Sequence, residues 1–387
     1  MTEPQPDSTR EPILKGIRVI ELGHIVAGPF AGMILSGLGA EVIKIEHPDG
    51  GDSMRRPASI GLFYSLNWNK KSVQLNLRAE KDREVFYELI RDSDVLIENL
   101  GPGVVDKLGI GYQELSRINP ALIYCAIKGF LPGPYAHRPL VDEMAQMMGG
   151  LAYMTGPPGQ PMRAGASIAD MTAAAFAAIG VLAALFRRKE TGRGEHISAG
   201  IFETVALWVA RYVIEHQLTG EVPEPMTVKN MALRMRWEVY DRFKTRDGKE
   251  VIIAFTSDKH WIGFCNTLGL ASWKQDPRLA TKENRLATRD WLLPLIQSVV
   301  TGYARDDLIQ LLDRNGVPTA PVNTPADLVN DPQLIEARQL LTLDAEGREL
   351  RTPVLPIRIG SHAPPTTGHV PALGEHTEEI IKRYSNK

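Results

Sequence analysis

Cysteine is almost missing from this sequence. Cys125 and Cys265 are the only two in 387 residues, set far apart in apolar stretches (IYCAI and GFCNT) and outside CxxC spacing. That excludes a disulfide framework and predicts two reduced core thiols in a cytoplasmic protein. HExxH is absent, and among the nine histidines His137 and His196 stand alone, so no metal site is expected. GxSxG is absent too, which speaks against a serine hydrolase. Charge of one sign is also lacking. The formal net charge is −2 with no long block of like charge, which excludes a basic nucleic-acid-binding surface and an interaction tail. The opening MTEPQPDSTREP is polar and proline-rich, unlike a signal peptide. Repeats and low-complexity segments are missing. Long apolar runs are scarce: only Met171–Phe186 qualifies, with Thr172 its one polar side chain. It is shorter than the ~20 residues a membrane span needs. Its abundance of Ala and Gly predicts instead a helix packed tightly inside a soluble protein.

What is present is ordinary globular composition, 43% hydrophobic and 23% charged, in a chain long enough for two domains. The first half alternates strand and helix. GIRVIEL (16–22), AEVIKIE (40–46), SVQLNL (72–77), DVLIEN (94–99) and ALIYCAI (121–127) read as strands, with a short sixth at Glu195–Ser198. Helices are predicted over 27–39, 80–91, 142–153, 168–188 and 201–218. This pattern predicts an α/β fold, an open, mostly parallel Rossmann-like sheet with helices on both faces. The Pro-broken TGEVPEPM (219–226) marks a boundary. Beyond it, 238–256 reads as a hairpin turning at Asp247-Gly248. Helical segments near 258–269, 286–301 and 304–314 complete a smaller α+β domain at 226–325. Strands, prolines and a last helix at 374–384 follow.

Two glycine-containing turns invite a ligand. The first, GHIVAGPFAG (23–32), joins a strand to a helix, and Glu46 ends the next strand at about the spacing of a ribose-binding acid. The turn lacks GxGxxG, and Pro29 blocks close approach of a pyrophosphate. Nicotinamide or flavin binding is therefore not expected, and Glu46 reads as a surface acid on an edge strand. The second, ENLGPGVVDKLGIGY (98–112), follows the fourth strand, where parallel sheets bind ligands; equally it is a tight loop. It lacks the GK[ST] ending of a nucleoside-triphosphate loop.

One acid stands at the mouth of the apolar run, in GASIADMTAAAFAAIGVLAALFRRKETGRG (165–194). Ser167 and Asp170 have capping-box spacing, so Asp170 reads as a cap. The same position suits chemistry. The charged form of a carboxylate is favoured at a helix N-terminus, so Asp170 is expected to stay ionised. Rigidly held and poorly hydrated, it could attack an activated carbonyl such as a thioester.

Nearly the whole chain, from about Leu14 to Ile381, resembles the family III CoA-transferases, the CaiB/BaiF family. The likeness is carried by LKGIRVIELGHIVAGPFAGMILSGLGAEVIKIEHPDGGD (14–52), NWNKKSVQLNL (67–77), DVLIENLGPGVVDKLG (94–109), ADMTAAAFAAIGVLAAL (169–185), KETGRGEHI (189–197) and GEHTEEII. The resemblance implies that Asp170 is the catalytic aspartate. It would accept an acyl group from acyl-CoA, then CoA as a β-aspartyl thioester, and pass CoA to an acceptor carboxylate. Succinyl-CoA is a candidate donor. CoA is a substrate here, and no prosthetic group is implied. By the same resemblance CoA would lie against Val26, Ala27, His47, Leu75, Arg78, Asn99, Leu100, Gly101, Lys107, Pro139, Leu140, Val141 and Asp142. Lys107 and Arg78 would meet its phosphates, or else are solvated surface cations. The large CoA-binding domain would comprise 1–225 and be completed by 326–387. An interlocked homodimer is implied, compatible with extended connections near 219–237 and 340–375.

There are departures. His47 stands where formyl-CoA transferase has an arginine. The glycine-rich lid loop is replaced by TVKNMALRMRWEVYD (227–241). Arg163, and Arg234 or Arg236, could clamp a second carboxylate of the acceptor. The fold also hosts α-methylacyl-CoA racemases, whose His–Asp pair moves the α-proton. Val141 occupies the place of that histidine, which disfavours the racemase. A CoA-binding protein without chemistry is the other alternative, and the presence of Asp170 speaks against it.

Overall fold

In the computed structural model, residues 11–228, 231–360 and 365–385 are described. Residues 1–10 of the polar opening, and Lys229 and Asn230 of the lid-replacing stretch, lie outside them. The chain divides into two compact units. One takes residues up to Ala152, Arg163–Glu221 and Val329 onward; the other takes Tyr153–Met162 and Val222–Leu328. Tyr153–Met162, which the composition places in the large domain, joins the second unit. Its backbone is tied to the 226–227 region: Met226 N donates to Met154 O (2.9 Å) and Thr227 Oγ1 to Gly156 O (3.0 Å).

The first unit is built on a six-stranded sheet in the order β3-β2-β1-β4-β5-β6. The strands are β1 (Arg18–Leu22), β2 (Glu41–Glu46), β3 (Lys71–Gln74), β4 (Val95–Glu98), β5 (Ile123–Lys128) and β6 (His196–Gly200). Every neighbouring pair is parallel. Alternation along the strands sends side chains to two faces. Val19, Val42, Val95, Ile97, Cys125 and Ile127 point to one, where the helices Ala27–Gly37 and Ile168–Thr191 pack. Ile20, Ile43, Ile45, Leu96 and Ala126 point to the other, against the helices Glu80–Arg91 and Tyr112–Ile118.

The apolar run is the core of the helix Ile168–Thr191. Its length and hydropathy would suit a membrane span, yet Ala173, Ala174, Ala177 and Val181 are fully buried inside the protein. Small side chains on both helices let helix Ala27–Gly37 come close. Gly180 sits against Ile197, where a Cβ would approach to 2.9 Å.

Three predicted elements are shorter or split. β3 ends at Gln74, and Leu75 and Leu77 continue as buried residues outside the ladder. The 142–153 helix breaks at Gly149–Gly150, where Gly150 takes φ +80°. The 201–218 helix breaks at Val209.

In the second unit, β7 (Val239–Lys244) and β8 (Glu250–Phe255) form the expected hairpin, joined by β9 (Thr319–Pro321). Helices Asp258–Thr267, Arg289–Val300 and Arg305–Asp313 cover it around a core that includes Cys265. The described parts of 340–375 are paired as strands rather than running as a bare connection. β10 (Leu340–Ala345), β11 (Arg348–Pro353) and β12 (Thr367–His369) make a third small sheet.

Candidate active site

The strand order reverses between β1 and β4, and in open parallel sheets the crevice at such a point receives ligands. Asn99, just past β4, pins the turn after β1. Its Oδ1 accepts from His24 N (2.8 Å) and its Nδ2 donates to His24 O (3.0 Å). Gly28 faces this clasp: a Cβ there would lie 2.5 Å from Gly23 Cα and 2.8 Å from Asn99 Oδ1. Gly28→Ala is therefore expected to push the turn outward. KM for an acyl-CoA should rise about tenfold with a smaller change in kcat, as steady-state kinetics would reveal.

Beneath the turn lies a buried charge network. Lys44 Nζ meets Glu21 Oε1 (2.9 Å), Asp52 Oδ2 (3.0 Å) and Gly23 O (2.6 Å). Lys70 Nζ meets Glu21 Oε2 (2.7 Å) and Pro29 O (2.8 Å). Asp52 accepts from Ile25 N at 3.3 Å, and Ile25 sits at φ +66°, a left-handed conformation costly for a branched residue. Burial opposes the charge on Glu21, but Lys44 and Lys70 outweigh it and hold the carboxyl below its usual range. For Lys70 burial wins over Glu21, and its pKa falls to about 8.

Glu46 belongs to this interior. It is not a surface acid on an edge strand: β2 lies between β1 and β3, and Glu46 is 1% exposed. Its carboxylate receives Arg55 Nη2 (2.6 Å) and Ser72 Oγ (2.6 Å).

The carboxyl ends of the strands border a cavity of about 990 Å³. Val26, Asn99, Leu100, Gly101, Pro139, Leu140, Val141 and Asp142 line it together with Asp170. The other expected contacts lie outside its lining. Ala27 and Leu75 are packed in the two cores, so their side chains face inward. His47, Arg78 and Lys107 are exposed on the surface beyond the cavity. Arg163 lines the cavity beside Asp170, whereas Arg234 and Arg236 belong to the second unit. Arg138 and Lys128 line it from outside any quoted motif, and Lys128 pairs at 2.6 Å with Glu98, the first residue of the second glycine turn. An acid ending β4 and a lysine ending β5 were the available signal.

The capping box does not form. Ser167 is the N-cap residue of helix Ile168–Thr191 but makes no side-chain cap hydrogen bond. Asp142 Oδ1 takes that role from another helix, accepting from Ala169 N (2.9 Å) and Asp170 N (3.3 Å). Asp170 is therefore not held as a stabilised anion. Burial and the neighbouring Asp142 carboxylate push its carboxyl up to about 7, with Arg163 opposing.

These features define an α/β protein with a large cavity along the carboxyl edge of a parallel sheet and a desolvated carboxyl lining it. The model of CoA-transferase family III matches residues 14–377. The chain is similar to the succinyl-CoA–L-malate CoA-transferase beta subunit of Chloroflexus aurantiacus, 34% identical over 95% of this chain and 93% of that protein. It is also similar to acetyl-CoA:oxalate CoA-transferase of Acetobacter aceti, 33% identical over 100% of this chain and 99% of that protein. Among solved structures, a CAIB/BAIF family protein from Brucella suis superposes with a TM-score of 0.86 at 34% identity, covering 97% of this chain and 100% of that one. The chain belongs to the family III CoA-transferases and is an enzyme that moves CoA between an acyl-CoA and an acid.

Proposed function

We propose that this enzyme transfers CoA from an acyl-CoA, with succinyl-CoA as donor, to a carboxylic acid acceptor, and that Asp170 is the nucleophile. An Asp170 carboxylate oxygen attacks the thioester carbonyl. The carbon–sulfur bond breaks, and CoA leaves as thiolate with the electron pair, giving an aspartyl–acyl anhydride. The thiolate then attacks the aspartyl carbonyl and releases the donor acid, leaving a β-aspartyl-CoA thioester. The acceptor carboxylate reverses these two steps. No proton, electron or metal enters the balance, and no prosthetic group is required.

The observation that carries this reading is a desolvated carboxyl at the strand-end cavity, raised in proton affinity. A carboxylate with weak solvation is a better nucleophile than one in water. Intact-protein mass spectrometry after mixing with succinyl-CoA tests it: a CoA-sized adduct on Asp170 is expected, and transfer without one would sink the mechanism. No solvent deuterium should enter the α-carbon, whereas racemisation would introduce it.

The ionised form must attack, so the rate of adduct formation should rise with pH through a limb near 7, the value to which Asp170 is pushed. A limb near 4 in single-turnover profiles would contradict that environment.

A cytoplasmic, interlocked homodimer belongs to the same proposal. Supporting it are exposed apolar side chains on adjoining helices, such as Leu207, Trp208, Ile214 and Leu218. Sedimentation and cross-linking would test it.

A further inference from the structure

We propose that Asp142 is a positioning residue for the transfer: it occupies the backbone N–H seat at the start of helix Ile168–Thr191 and so forces the Asp170 carboxylate to remain a poorly stabilised, reactive anion in the cavity. This rests on the reading of Asp170 as the nucleophile.

A helix N-terminus presents unsatisfied N–H groups, and an acid in the first turn ordinarily uses them to lower its own energy. Here one oxygen of Asp142 collects the N–H groups of both Ala169 and Asp170. The other oxygen is held by Gln146 Nε2 at 2.6 Å. Gln146 is fully buried, and its Oε1 accepts from Ala164 N at 2.8 Å. Asp142 is thus locked between its own helix, the loop leading to Asp170, and the helix that carries Asp170.

The charged groups around Asp170 are few. Helix Asp142–Met148 brings Asp142 and Glu143. The loop brings Arg163, whose Nη2 lies 3.5 Å from Asp142 Oδ2. Around the same cavity stand His24, Arg138, Glu98, Asp106, Glu114, Lys128 at the end of β5, and His196 on β6; of all these groups only Asp142 and Arg163 bear on the Asp170 carboxyl. Helix Ala27–Gly37 carries no ionisable side chain, and Glu203 of helix Ile201–Trp208 accepts from Leu131 N instead. The local balance at Asp170 is therefore Asp142 against Arg163.

This arrangement favours the covalent states. In the resting enzyme two carboxylates confront each other across one cap. Forming the anhydride, and then the thioester, removes the charge from Asp170 while Asp142 keeps its hydrogen bonds. Each acylation relieves the repulsion, and each return to free enzyme restores it.

The test is the pH profile of adduct formation, followed by mass spectrometry in single turnovers with succinyl-CoA. Asp142→Asn keeps an oxygen for the cap but removes the charge. Its limb should move about one to two pH units to the acid side of the wild-type value, with a slower plateau. Arg163→Gln leaves the cap intact, and its limb should move the opposite way; this second variant decides the matter should the first fail to fold. Opposite displacements support the proposal. A limb unmoved in either folded variant overturns it and leaves Asp142 a simple cap, with Asp170 still the nucleophile. If the unaltered enzyme forms no adduct on Asp170, the nucleophile reading falls, and this inference with it.

Discussion

With Asn at position 170, CoA transfer is expected to fall on the order of 10⁴-fold, because an amide cannot form the anhydride on which both half-reactions depend. The same variant should be the more stable protein near pH 8. The Asp170 carboxyl is pushed up to about 7 by burial and by Asp142, against about 3.9 in an unfolded chain. Below both values it is protonated in either state and costs nothing. As pH rises from the unfolded value toward the folded one, the unfolded chain ionises first, so the penalty builds between about 4 and 7 and is complete above the folded value. Allowing for the partial exposure of Asp170, that penalty is about 2 kcal/mol. Thermal unfolding should therefore show Asp170→Asn ahead of the unaltered enzyme at pH 8 and level with it near pH 4. Equal stability at both would mean that the carboxyl is better solvated than its surroundings imply. Retained transfer would remove Asp170 from the chemistry.

The second large effect belongs to Lys44. Lys44→Met deletes the cation shared by Glu21 and Asp52 and the donor to Gly23 O, in a site with no exposure. Leaving the buried Asp52 without its cation, and Glu21 with Lys70 alone, costs about 3–5 kcal/mol, which urea unfolding would register. Replacing Asp52 by Asn as well should recover part of the loss, since Glu21 keeps Lys70 whereas Asp52 is left without the cation it met, and a buried charge without a partner is worse than no charge. A loss under about 1 kcal/mol would show that the turn is held by packing alone. The network also has an acid side. Burial works against the charges on Glu21, Glu46 and Asp52, but their cationic partners hold all three carboxyls below the usual range. Their contribution is complete above about pH 4 and fades as pH drops through the folded values.

The parallel sheet was legible because buried strands are short apolar runs whose neighbours are helices. Val19 to Leu22, Val42 to Ile45 and Ile123 to Ile127 carry that signal without ambiguity. The strand ends were harder. SVQLNL keeps alternating past Gln74, yet the ladder stops there, because periodicity reports which side chains are buried rather than which backbone groups are paired. The importance of Asp170 was visible from its isolation before an apolar run. Its electrostatics were not, because the partner that decides them, Asp142, stands 28 residues away in sequence. Local spacing nominated Ser167, and tertiary structure chose a residue on another helix. Glu46 was misread for a similar reason. An acid ending a strand looks exposed until Arg55 and Ser72 are known to close over it. Lys44, in the middle of EVIKIE, was the clue that charge runs through this interior.

The segment after β12 has a bearing on how the chain matures. The helix Thr377–Ser385 lays Ile380, wholly buried, onto the core shared with helix Glu80–Arg91, and Thr377 Oγ1 accepts from Gln74 N at 3.0 Å on β3. During synthesis the outer border of the sheet therefore waits, uncovered, until this helix, which follows every strand of the sheet in the chain, has left the ribosome. The unit spanning Val222–Leu328 emerges earlier and carries its own core. A premature stop that removes this last helix would expose a greasy flank at β3 and send the product toward aggregation or degradation, even though every residue of the cavity had already been made.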